Sequence, residues 1–153
     1  MGRRHVALLG SLAVALVLSA PAAAALKWRE ISHGDATGVQ LISPVALVVG
    51  NRDNAKAYSS EVPPNANNAI AHVDLQKNIV VMALAGFGCK QHLFTVTSIV
   101  QHGTRLFLTL ATQRMPATTD CMLLGPTYRL LRLPRSELAR PYPTSADASV
   151  AAA

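Results

Sequence analysis

The chain has 153 residues, half of them hydrophobic and only 14% charged, with 14 Lys and Arg against 8 Asp and Glu for a formal charge of +6. That length suits one domain, and the apolar content with low charge excludes wholesale disorder. Part of the apolar count is local, because Ala and Leu crowd the first 26 residues and Ala dominates the last six.

Residues 1–25 read as a secretory signal peptide. Arg3 and Arg4 supply a positive start, residues 6–20 form an apolar run, and Ala20-Pro21-Ala22-Ala23-Ala24-Ala25 supplies small residues for cleavage after Ala22, Ala24 or Ala25. The run has about 15 residues, short of the ~20 that a bilayer-spanning helix needs. The reading is therefore export to the cell envelope or medium, with no stable membrane span after cleavage. The mature chain then keeps twelve basic and eight acidic side chains, a charge of +4. Its basic residues are dispersed. Only Arg129, Arg132, Arg135 and Arg140 cluster, without interleaved aromatics for stacking bases, so no nucleic-acid partner is expected.

Residues 26–140 read as a single β-rich domain. Residues 27–32 suit a first strand ended by His33-Gly34-Asp35. Residues 39–42 and 45–49 are β-branched runs split by Pro44. Asn51 can cap a short helix over 52–60, and Pro63-Pro64-Asn65-Ala66-Asn67-Asn68 reads as a loop. Residues 78–86 hold Ile79-Val80-Val81-Met82-Ala83-Leu84-Ala85, a continuous apolar run expected of a central strand buried on both faces. Residues 91–101 and 105–112 form a β-hairpin turning at His102-Gly103. Residues 127–133 are a last strand stopped by Pro134, and 141–153 read as a disordered Ala/Ser/Pro tail. About six strands joined by short connections predict a mainly β fold, a small antiparallel sandwich or partly open barrel with one short helix.

Cys89 and Cys121 are the only cysteines, and an even count in an exported chain favours a disulfide. Opposed positions in the hairpin sum to about 205, which puts Cys89 across from roughly position 116, near Cys121. Such a bridge stabilises by roughly 3–4 kcal/mol in the chain-entropy model.

No catalytic constellation emerges. The sequence has no G-x-S-x-G, no phosphate loop, and no carboxylate pair at a glycosidase-like spacing. His92 and His102 bracket one strand, about 33 Å apart when extended, and cannot share a metal. His72 and Asp74 could point from one face of an extended segment. They are the residues for an alternative reading, a small envelope hydrolase or metal-dependent enzyme. The main reading is a non-catalytic protein with no cofactor and no metal. It binds a protein partner through the loops 86–91 and 115–120, with Phe87, Lys90 and Gln91 as contact residues.

Residues 73–135 carry a further pattern. Val73-Asp74-Leu75 precedes the apolar run that ends at Gly86. Phe94-Thr95-Val96-Thr97-Ser98-Ile99 precedes Gly103-Thr104-Arg105-Leu106, Cys121 stands before the last strand, and Tyr128-Arg129-Leu130-Leu131-Arg132-Leu133-Pro134-Arg135 closes it. This resembles the C-terminal domain of the bacterial protease complex subunit PrcB family. The resemblance implies a non-catalytic subunit of a secreted or surface protease, without a cofactor. One departure is Gly86-Phe87-Gly88-Cys89-Lys90-Gln91-His92, where that family tends to carry a proline-threonine-glycine-glycine-tyrosine type of loop.

Overall fold

The computed structural model describes residues 24–36, 39, 41–86, 93–113 and 125–151. Seven strands appear among them: β1 (Arg29–Asp35), β2 (Val45–Val49), β3 (Asn78–Ala85), β4 (Leu93–His102), β5 (Arg105–Gln113), β6 (Thr127–Pro134) and β7 (Ser145–Val150). Two short helices, α1 (Arg52–Ala57) and α2 (Pro64–Ala71), lie between β2 and β3. The strands form one sheet in the order β1-β6-β3-β2-β7-β5-β4. Every neighbouring pair is antiparallel except β5 with β7. The architecture is a mainly β, partly open barrel.

These pairings define two ends. At the apical end β1, β3, β5 and β7 finish and β2, β4 and β6 begin; at the basal end the directions reverse. The open edges meet at two points. Leu26 N–H donates to Ile99 C=O at 2.8 Å, and the Arg129 guanidinium reaches across to the Phe94 carbonyl.

β3 is buried on both faces, as its unbroken apolar run requires. Ile79, Val81, Ala83 and Ala85 face the barrel interior with Leu106, Leu108, Leu110, Leu131 and Leu133. Val80, Met82 and Leu84 face a second core formed under the helices by Ile70, Val73, Tyr128 and Leu130. At the edge of this second core the Tyr128 hydroxyl meets Ser32 Oγ at 3.0 Å, and its ring lies over Gly34, where a Cβ would stand 3.3 Å from the ring. Pairing of His33, Gly34 and Asp35 with Arg129, Tyr128 and Thr127 keeps the chain extended, so β1 runs on where a turn is expected.

The helices depart from the sequence pattern in one place. Asn51 Oδ1 accepts the Asn54 N–H at 2.8 Å and caps α1 as expected. The Pro-Asn segment expected as a loop is instead α2, with Pro64 in its first turn and Ala66 and Ile70 buried on one face. Asn67 holds it by donating to the Ser59 and Val62 carbonyls at 2.9 and 3.1 Å. Arg52 donates to the Ile70, Ala71 and Val73 carbonyls, placing a cation at the C-terminal end of the helix.

The C-terminal segment is also corrected. Residues 145–150 do not form part of a disordered tail. They are β7, which fills the slot between β2 and β5. Ala146 and Ala148 turn inward onto the barrel core while Ser145, Asp147 and Ser149 face out. The grip on β2 is a single register pair, Ala46 with Ala146. Continuing that register brings Pro44 opposite Ala148 and Pro143 opposite Val49, and neither proline has an N–H to donate. The two strands part on both sides of the pair. A cleft of about 370 Å³ opens beside Pro44 and Asp147, and one of about 340 Å³ beside Val48, Arg135 and Pro143.

Candidate functional site

The apical end gathers the connections that the sequence singles out. β3 ends where β6 begins, with Ala85 paired to Thr127, and β4 begins where β5 ends, with Leu93 paired to Gln113. The segments between these ends hold Phe87, Cys89, Lys90 and Gln91 on one side and 115–120 and Cys121 on the other, and all of these lie outside the described residues. Residues 39, 41 and 42, the described part of the strand expected at 39–42, are not in a strand. Leu41 is partly buried against the helix-side core, and the adjacent Ile42 is fully exposed, at 101%. Leu93, at the start of β4, is exposed to 37%. A cleft of about 330 Å³, lined by Val39, Leu41, Val45, Leu47 and Leu84 with Ser60 and Glu61, completes this end. Ile42 and Leu93 are two of the three large apolar side chains exposed among the described residues.

His72 and Asp74 serve local structure. His72 is the C-cap of α2, with Nδ1 2.8 Å from the Asn68 carbonyl. Asp74 Oδ1 accepts the Gln76 N–H at 3.0 Å, an Asx turn leading into β3, and Oδ2 stands 3.7 Å from Lys77 Nζ. Asp74 lines a shallow cleft of about 350 Å³ with Asn51, Arg52, Leu75 and Gln76. Among the described residues no group of three or more His, Cys, Asp and Glu side chains could hold a metal ion.

A charged cluster that sequence reading missed closes the barrel edge. Glu30 Oε2 accepts from Arg129 Nη1 at 2.6 Å, and Glu30 Oε1 lies 2.8 Å from His33 Nδ1. Residues three apart on a regular strand point to opposite faces. Here β1 is bulged between Glu30 and Ser32, and the extra residue returns both side chains to one side. Arg129 also stacks over the Phe94 ring, 5.7 Å from its centre. The cluster therefore ties β1, β6 and β4 together, with the imidazole on its exposed flank.

Comparison with protein-family models, with curated proteins and with solved structures returned no match.

Proposed function

We propose that this chain is an exported, non-catalytic protein-binding domain, a subunit or modulator of a secreted or surface protease, and that it engages its partner through the apical end. The exposed Ile42 and Leu93 carry this reading. They stand at the end from which the two candidate binding segments depart, beside an apolar cleft. A rigid barrel presenting loops and isolated apolar anchors suits protein recognition. The resemblance of residues 73–135 to the PrcB family directs the partner toward a protease.

The test is affinity capture from culture fluid of the native host, comparing the unaltered chain with Ile42→Glu and with Phe87→Ala combined with Lys90→Ala. A protease recovered with the unaltered chain and reduced at least tenfold by the apical variants is the expected result. Recovery unchanged by all of them removes this surface, and recovery of no protease removes the assigned partner class.

A further inference from the structure

The basic side chains are dispersed in sequence and gathered in space. Lys27 and Arg29 stand at the start of β1, Lys77 directly before β3 and Arg105 at the start of β5. Arg52 opens α1 just after β2. Arg132 lies near the end of β6, and Arg135 and Arg140 follow it. All of these positions are basal. Eight of the ten lysines and arginines among the described residues therefore lie at one end, against five carboxylates, Glu30, Asp53, Asp74, Glu137 and Asp147. The apical end carries Asp35 and Glu61.

Within this surface Arg29 and Arg132 are directly opposite in the β1–β6 register. Neither has an ion pair or a side-chain hydrogen bond among the described residues. Like charges facing each other across strands repel, and an anion between them relieves the repulsion. The Tyr142 ring is taken up by guanidiniums, with Arg135 at 4.5 Å and Arg140 at 5.4 Å, rather than left as a platform for bases.

The point at which the chain enters the fold indicates the source of the anion. Leu26 is pinned to Ile99 at 2.8 Å, and Lys27 and Arg29 follow at once. The apolar run 6–20 ends only a few residues earlier. On the reading of residues 1–25 as a cleaved signal, that run keeps the chain at the membrane only until cleavage, and the basal end is the part of the fold that follows it directly. We propose that the basal end is a docking surface for anionic lipid headgroups, centred on the Arg29–Arg132 pair. Attraction of this kind acts within a Debye length, about 8–10 Å at ordinary salt, and weakens as salt rises.

The test uses the chain from Ala24 onward, which contains every described strand and helix, and sedimentation with vesicles. Partition onto phosphatidylglycerol–phosphatidylcholine vesicles should exceed partition onto phosphatidylcholine alone at least tenfold, and should fall severalfold between low and high salt. Arg29→Gln with Arg132→Gln should lower it at least threefold at an unchanged circular-dichroism spectrum, while Arg29→Lys with Arg132→Lys retains most of it. Equal partition onto neutral vesicles, or no loss in the glutamine variant, overturns the proposal. So does binding to heparin with no binding to vesicles, which assigns the surface to a soluble polyanion.

Discussion

β3 and β7 are both interior strands of one sheet, and they are held in different ways. β3 pairs along its length with β2 and β6 and is sealed by core on both faces. β7 pairs along its length with β5 alone, touches β2 at one register position, and presents one face to solvent. The difference divides the barrel into a covered half, β1-β6-β3-β2 under the helices, and an uncovered half, β7-β5-β4. A strand's place in the order does not by itself set its stability. What covers its second face, and whether its neighbours have an N–H to offer, count for as much.

The widest gap should appear between the second faces of the two strands, buried on β3 and exposed on β7. Met82→Ala empties a fully buried site under the helices and should cost about 2–5 kcal/mol in denaturant unfolding. Ser149→Ala, on the outer face of β7, should change stability by under about 0.5 kcal/mol. Equal losses would break the comparison. Next in size is the proposed Cys89–Cys121 bridge. Cys89 lies on the connection from β3 to β4 and Cys121 on that from β5 to β6, so a disulfide staples two crossings between the halves. Non-reducing mass spectrometry of exported protein should show the linked peptides, and reduction should lower stability by about 3 kcal/mol. Two free thiols would contradict it. Smallest is the edge clasp. Arg129→Met leaves Glu30 without its cation and the Phe94 carbonyl without its donor, and should cost about 1–2 kcal/mol. Hydrogen exchange should quicken along β4 and stay unchanged in β3; the reverse pattern would show that the clasp does not hold the edge.

Each half held one element that the sequence displayed openly and others that it hid. The apolar run of β3 has one sensible reading, and the hairpin announces itself at His102-Gly103, where Gly103 takes a left-handed φ of 58°. β7 was hidden by its side chains. Ser145-Ala146-Asp147-Ala148-Ser149-Val150 alternates as a strand should, but Ala and Ser have little β preference, and its stability comes from a slot assembled by distant elements. α2 was hidden by the turn-like composition of Pro63-Pro64-Asn65, which tertiary bonds from Asn67 and Arg52 override. The Glu30–His33 contact depends on a bulge that no spacing rule reports. The basal charge depends on strand order, which lies beyond any local window. Of the candidate site, the meeting of β3, β4, β5 and β6 at one end was legible from the hairpin and the buried strand; the exposure of Ile42 was not.

The place of β7 has a consequence for how the molecule is made. Its slot lies between β2 and β5, and no earlier strand among the described residues fills it, so the sheet stays divided until residues 145–150 have left the ribosome and, for an exported chain, crossed the membrane. Closure thus waits on residues 145–150, which follow every other described strand in the chain and join the two parts of the sheet. A chain stopped before residue 145 would carry every buried apolar side chain described and still lack the strand that makes it one body.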